Sequence, residues 1–93
     1  MAILTISQAA TFARTAGFSG DNLITILAIA MAESGLDTTI QNSIGATGIL
    51  QIYLAVHPDV SYQQAIDPAF SFRYAWRLSN GGQNFCPWQR PRM

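Results

Sequence analysis

The hydrophobic positions of this chain concentrate in one run, from Leu23 to Ala32, which reads LITILAIAMA. Ser19 ahead of the run can cap a helix, and Gly35 behind it can end one. The apolar side chains point in every direction around such a helix, which is typical of a helix buried on all sides. The pattern therefore predicts a buried central helix wrapped by the other elements.

Shorter amphipathic segments lie on either side of this run. Thr5–Gln8 fits a capping box and predicts a helix from about residue 6 to 16, ended by Gly17. Ser61–Gln64 fits a second capping box, which opens a helix of little more than one turn. Asp67-Pro68 is a cap followed by proline, which predicts a helix to about residue 79. This last helix has one stripe for the core, formed by Phe72, Ala75, Trp76 and Ser79.

Residues 36–52 differ in composition from the helical segments. Residues 36–46 are polar and short-sided, which predicts an extended loop or a short irregular hairpin. Within Gly45–Ile52, two glycines, Gly45 and Gly48, lie on either side of a predicted tight turn. A short helical segment is expected to start there. The whole chain thus predicts a mostly α, compact helical domain with a buried central helix and a short irregular loop or hairpin. Residues 1–93 are expected to form one domain, with a frayed tail after about residue 88.

Composition narrows the possible partners. The 93 residues carry no net charge and only 11% are charged, so no basic stripe favours a nucleic-acid partner. One cysteine, Cys86, and one histidine, His57, leave no intrachain disulfide and no expected metal site or cofactor. The first residues lack the features of a secretory signal, and the apolar run is too short for a membrane span. A monomer is expected.

Glu33 is the only glutamate in the chain, and it follows the apolar run directly. Burial beside apolar side chains disfavours a charged carboxylate, and so does the negative end of the helix dipole. Both effects favour the neutral acid, which is the form that general acid catalysis requires. The alternative is that Glu33 reaches solvent past the helix end and has no chemical role. The helix alone leaves both interpretations open.

The segments after Glu33 resemble a known family. Glu33-Ser34-Gly35 is followed by Gly45–Ile52, which reads GATGILQI. This resembles the lysozyme-like lytic transglycosylases, in which a Glu-Ser pair at a helix end precedes Gly-Ala-x-Gly-Leu-(Met or Trp)-Gln-(Ile or Leu). The resemblance covers roughly residues 18–88 and includes His57-Pro58 and Asp67-Pro68. Its final part, Gly81-Gly82 leading to Phe85-x-Pro87-Trp88, is similar to small lysozyme-like domains of phages and actinobacteria.

The resemblance implies an activity and assigns roles to residues. Glu33 falls on the family's catalytic acid, which protonates the glycosidic oxygen between N-acetylmuramic acid and N-acetylglucosamine in peptidoglycan. The substrate's own C6 hydroxyl then closes a 1,6-anhydro ring, so no enzyme nucleophile is needed. Gln51 falls on the family's glutamine, whose amide would bind sugar or the acid. Ser34 would orient Glu33, and Gly48, like Gly45, would allow a glycan strand to approach the backbone closely.

Other positions are candidates for contact with sugar or depart from the family's pattern. Tyr53 and Trp88 are candidates for stacking on sugar rings, although Trp88 is equally suited to closing the core. Ile49-Leu50 stands where Leu-Met or Leu-Trp is usual in the family, which predicts an altered wall of the sugar groove. Tyr53 also replaces an asparagine common in the small phage-like group, and the Ala-Tyr-Asn-Ala-Gly motif of larger transglycosylases is absent.

Two alternatives remain beside a transglycosylase. Asp37, four residues after Glu33, is a candidate second carboxylate for a hydrolytic muramidase, although a solvated loop residue is the simpler interpretation. A non-catalytic cell-wall binder or virion structural domain belongs to a different class. The two enzymes and the cell-wall binder would act at the bacterial cell wall, with peptidoglycan glycan strands as the partner. Without a signal sequence, a virion-associated protein or one released at lysis is expected.

Overall fold

A computed structural model describes residues 2–88 of the chain. Helices account for most of its regular structure, as the sequence predicted. The elements in chain order are α1 (Ile6–Ala16), α2 (Gly20–Ser34), β1 (Ala46–Thr47), β2 (Ile52–Tyr53), α3 (Tyr62–Ala65), α4 (Pro68–Leu78) and a short 3₁₀ helix (Cys86–Trp88). The predicted fraying after Trp88 concerns residues outside the described part.

The helix starts follow the predicted capping chemistry. At α1, the backbone N–H of Gln8 donates to Thr5 Oγ1 at 3.0 Å, and the Thr5 N–H donates to Gln8 Oε1 at 2.9 Å. Ser61 and Gln64 make the same reciprocal pair at α3. At α4, the Asp67 carboxylate accepts from the N–H of Ala69 at 3.0 Å. Each cap satisfies a backbone donor that the helix itself leaves without a partner.

The core is formed by one face of each long helix and by the segment between α2 and α3. Helix α1 packs against both α2 and α4. The main cluster of buried apolar residues comprises Ala9, Ala13, Phe18, Ile26, Ala30, Leu36, Ile49, Leu50, Phe72 and Ala75. A smaller cluster comprises Ile52, Val60, Ala65 and Tyr74. Ile49 and Leu50 are therefore core residues, so the prediction that they alter a wall of the sugar groove is wrong.

Helix α2 is not wrapped on all sides. Its buried residues are Ile26 and Ala30, whereas Ile24 is 67% exposed and Met31 is 47% exposed. The prediction of a fully buried central helix is wrong because α1 is the helix that packs closely against α2, which leaves the side of this 15-residue helix that carries Ile24 uncovered. The apolar composition of α2 would allow burial on all sides, but burial also needs other elements that pack against each side of the helix.

A small hairpin follows the loop after α2. Strands β1 and β2 pair antiparallel, with Ala46 opposite Tyr53 and Thr47 opposite Ile52. Residues 48–51 form the turn between them. The fold thus contains a short hairpin, but at residues 46–53 rather than within residues 36–46, and the helical segment expected at Gly45–Ile52 is wrong. The reason is the backbone: Gly48 has φ 82° and Gln51 has φ 54°, both outside the conformation that a right-handed helix accepts.

Candidate active site

Glu33 lies in the last turn of α2. The helix ends at Gly35, which takes the left-handed conformation and donates its N–H to Met31 O at 2.9 Å. Glycine suits this position because it has no Cβ to clash with the backbone. Glu33 is only partly buried. The sequence argument that relied on burial is therefore weaker than the apolar run indicated, while the position at the carboxyl end of the helix is as predicted.

Ser34 connects this helix end to the hairpin turn. Its hydroxyl lies 2.7 Å from Ile49 O and 3.0 Å from Ala30 O, and it has one proton to share between these carbonyls. The shorter contact joins residues 15 positions apart. Ser34 is thus placed beside Glu33 and fixes the distance between the helix end and the turn.

Gln51 closes the turn that Ser34 contacts. It is 6% exposed, and its Nε2 donates to Gly48 O at 3.0 Å and to Ile40 O at 3.3 Å. These bonds hold the amide plane in one orientation. Within residues 2–88 no hydrogen bond uses Oε1, so Gln51 presents a fixed acceptor two residues after the carbonyl that binds Ser34. The segments that carry Glu33 and Gln51 are therefore brought together.

Gly48 has a packing role in the structure. A Cβ at this position would lie 2.0 Å from Ala65 O, closer than any real contact. Its N–H donates to Ile40 O at 2.8 Å, and its carbonyl accepts from Gln51. The structure therefore explains this glycine by the close packing of the turn against the end of α3. Contact between Gly48 and a glycan strand stays a prediction.

Tyr53 and Trp88 flank the same turn and are both half-buried. Tyr53 lies on β2, directly after Ile52. Trp88 Nε1 donates to Leu50 O at 3.3 Å, and its ring centroid lies 6.3 Å from that of Phe85. Trp88 thus packs against the core as one interpretation predicted, while both residues stay partly exposed. Their stacking on sugar stays a prediction.

Asp37 is a loop residue, and one of its two carboxylate oxygens accepts three hydrogen bonds. Its Oδ1 accepts from Thr39 N at 3.0 Å, from Thr39 Oγ1 at 3.2 Å and from Ala2 N at 3.3 Å. The backbone hydrogen bond from Thr39 lowers the pKa of Asp37, and desolvation opposes it without reversing the direction. Asp37 is therefore ionised at neutral pH. It is 8% exposed, so the interpretation as a solvated loop residue is wrong.

His57 belongs to a separate cluster on the second core. Its Nδ1 lies 2.9 Å from Tyr74 OH, and that hydroxyl donates to Asp59 Oδ1 at 3.3 Å. Burial, followed by the charge of Asp59, raises the pKa of Tyr74. The contact between the His57 and Tyr74 rings fixes the turn at residues 53–60 to α4.

Other kinds of site are not seen in the part of the chain that the structure describes. Residues 2–88 contain no group of three His, Cys, Asp or Glu side chains placed to hold a metal ion. No helix among them is long and apolar enough to cross a bilayer.

Sequence reasoning missed the backbone features that shape the site. Leu36, directly after Gly35, has φ 66°, and Gln51 is also left-handed. Neither residue type signals such a conformation. Asp37 as an anchor had a usable signal, because an Asp side chain in a loop readily accepts a hydrogen bond from the backbone N–H two residues on, which forms an Asx turn.

A family model described as "Lysozyme like domain" matches residues 10–90, which is most of the chain. No curated protein and no solved structure matches the chain.

Proposed function

The chain belongs to the lysozyme-like domain family, and on that premise we propose that it is a lytic transglycosylase with Glu33 as its acid. Members of this family generally cleave glycosidic bonds in peptidoglycan. The proposed substrate bond is the β-1,4 linkage between N-acetylmuramic acid and N-acetylglucosamine. The proposed place of action is the bacterial cell wall.

The observation that carries the proposal is the hydrogen bond of 2.7 Å between Ser34 Oγ and Ile49 O. It joins the end of α2, where Glu33 lies, to the turn that presents the Gln51 amide. An acid and a fixed polar acceptor on two adjoining segments are what a glycosidase needs to protonate one oxygen and orient the sugar. In this proposal, the end of α2 and the hairpin turn together supply one site.

The proposed reaction has two proton transfers. Glu33 first protonates the glycosidic oxygen, so the bond to C1 of N-acetylmuramic acid breaks and positive charge develops on that sugar. The ionised Glu33 then accepts the proton of the C6 hydroxyl, whose oxygen bonds to C1. The products are a free 4-hydroxyl on N-acetylglucosamine and a 1,6-anhydro sugar, and Glu33 is protonated again.

Gln51 is proposed to bind substrate through Oε1. Its Nε2 donates to two backbone carbonyls, and its oxygen is the polar atom of the amide that makes no hydrogen bond within residues 2–88. A hydroxyl or acetamido N–H of the sugar is the matching donor. Tyr53 and Trp88 are proposed to contact sugar rings with their exposed edges.

The hydrolytic alternative assigns a second carboxylate to Asp37. Its favourable observation is that the pKa of Asp37 is lowered by Thr39, so the group is charged at neutral pH. In a hydrolase an ionised carboxylate stabilises the sugar cation or activates water, at about 5–9.5 Å from the acid. The products differ: water gives reducing ends, and transglycosylation gives anhydro ends.

The test compares wild-type protein with Glu33→Gln on purified peptidoglycan, with products identified by mass spectrometry. Asp21→Asn is the matched control, because it removes a carboxylate from the exposed start of the same helix. We expect anhydro-muramoyl products from wild type and Asp21→Asn, and none from Glu33→Gln with an unchanged circular dichroism spectrum. Activity retained by Glu33→Gln refutes the acid assignment. Sedimentation with peptidoglycan without any product from wild type would instead support a non-catalytic binder.

A further inference from the structure

The first described residues pair with the loop that follows the proposed acid. Leu4 N donates to Leu36 O at 3.0 Å, and Thr38 N donates to Ala2 O at 2.8 Å. Ile3 lies opposite Asp37 in the resulting antiparallel bridge. A short two-stranded contact is therefore built immediately after the Glu33-Ser34-Gly35 helix end. Residues 2–4 are called segment 2–4 below.

The backbone between the acid and this contact is unusual. Gly35 has φ 62° and Leu36 has φ 66°, so two successive residues are left-handed. Leucine at positive φ is unfavourable and persists only where surrounding contacts hold it. Here the Leu36 side chain is in the core, and its carbonyl accepts from Leu4. The direction of the chain after Ser34 thus depends on segment 2–4.

Asp37 is the side chain that ties these parts together. Its Oδ1 accepts from Ala2 N on segment 2–4 and from the N–H and hydroxyl of Thr39 on the loop. Its own N–H donates to Ser34 O at 3.2 Å, in the last turn of α2. One residue therefore contacts the helix end, the loop and segment 2–4.

We infer that Asp37 is a positioning residue for the proposed acid, which holds segment 2–4 against residues 36–38 and so fixes the left-handed exit of α2. This inference rests on the proposed function of Glu33. It gives Asp37 no contact with substrate and no proton to transfer. It also makes segment 2–4 part of the support of the active site.

The inference makes a chemical requirement that separates it from catalysis by Asp37. Positioning needs an oxygen that accepts three hydrogen bonds, whereas catalysis as a second carboxylate needs the negative charge. Asparagine keeps Oδ1 and loses the charge. Its amide nitrogen would replace Oδ2, which makes no hydrogen bond within residues 2–88. Alanine loses both the oxygen and the charge.

The experiment measures kcat and KM on peptidoglycan for wild type, Asp37→Asn and Asp37→Ala, with Asp21→Ala as the control for loss of a charge. We expect Asp37→Asn to keep kcat within about threefold, and Asp37→Ala to lower kcat by about ten- to a hundredfold with little change in KM, since a small misplacement of an acid has that effect. A loss of activity in Asp37→Asn equal to that in Asp37→Ala would overturn the inference and favour a catalytic carboxylate. Wild-type kcat in Asp37→Ala would overturn it as well.

A second measurement does not depend on activity. Amide hydrogen exchange reports the N–H groups of Leu4 and Thr38, which donate across the bridge. We expect both to be protected in wild type and Asp37→Asn and to exchange faster in Asp37→Ala, together with Gly35 at the helix end. Unchanged exchange at Gly35 in Asp37→Ala overturns the inference even where the enzyme is inactive. An inactive wild type with this exchange pattern refutes the proposed function but supports the structural role of Asp37.

Discussion

Gly48→Ala is the substitution for which the structure predicts the largest loss of stability from the smallest chemical change. The added Cβ would lie 2.0 Å from Ala65 O, which belongs to the backbone and cannot rotate away. The same carbonyl accepts from the buried Ser71 hydroxyl at 2.9 Å, so moving it disturbs a second contact. The turn and the end of α3 must therefore separate.

The expected magnitude follows from three contributions. Alanine at φ 82° costs about 1 kcal/mol after allowing for the lower entropy of its unfolded chain. Overpacking against backbone costs about 1–3 kcal/mol, and weakening the Ser71 hydrogen bond about 1 kcal/mol. We expect Gly48→Ala to lower the free energy of unfolding by about 3–5 kcal/mol, a large part of the total for a small domain.

Gly45→Ala is the matched control. Gly45 has φ 89°, but a Cβ there would meet nothing within 4 Å. It therefore shares the backbone cost without the clash, and we expect a loss of only about 1 kcal/mol. Thermal and urea unfolding, followed by circular dichroism, measure both. At about 4–8 °C per kcal/mol, the two melting temperatures should differ by about 10 °C or more. Equal stabilities, with glycan binding lost only in Gly48→Ala, would refute the packing role and favour contact with sugar.

Three further substitutions test other parts of the structure. Ile24→Ala should change the unfolding free energy by less than about 0.5 kcal/mol, whereas Ile26→Ala should lower it by about 2–5 kcal/mol; equal losses in urea unfolding would contradict the one-sided burial of α2. Ser34→Ala should lower stability by about 1 kcal/mol and reduce kcat more than it changes KM, and a purely raised KM would indicate that Ser34 binds sugar. Because the pKa of Asp37 is lowered in the fold, its contribution to stability is complete above the unfolded pKa and is lost as pH falls through the folded value, below about pH 4. Melting temperatures from pH 7 to pH 2 should therefore fall more steeply for wild type than for Asp37→Asn, and parallel curves would contradict this.

The sequence predicted the helices well because local chemistry determines where they begin and end. Thr5, Ser61 and Asp67 cap their own helices, and each signal lies within three residues of the backbone group it satisfies. The same locality explains the correct end of α2 at Gly35. Such signals need no knowledge of the rest of the fold.

The errors concern contacts between distant parts of the chain. The exposure of Ile24 depends on which helices pack against α2, and that is set by topology rather than by the sequence of α2 itself. The sequence predicts a helix start where the structure has a hairpin turn. Gln51 takes φ 54° there because its side chain donates to the carbonyls of Gly48 and Ile40, and only the folded loop places these carbonyls within reach. Of the candidate site, the end of the apolar helix drew attention to Glu33 and the family resemblance assigned Gln51, but neither predicted the Ser34–Ile49 bond that joins their segments.

The dependence of the α2 exit on segment 2–4 has a consequence for how the protein responds to heat. The hydrogen bond from Ala2 N to Asp37 Oδ1 joins residues 35 positions apart, so it closes a long loop and adds no helix of its own. Ala2 and Ile3 are exposed and only Leu4 of this segment packs against the core, so the contact buries less apolar area than the helical core and opens at a lower free energy. Segment 2–4 should therefore detach as a local event while α1, α2 and α4 remain folded. Catalytic competence would then be lost at a lower temperature than helicity.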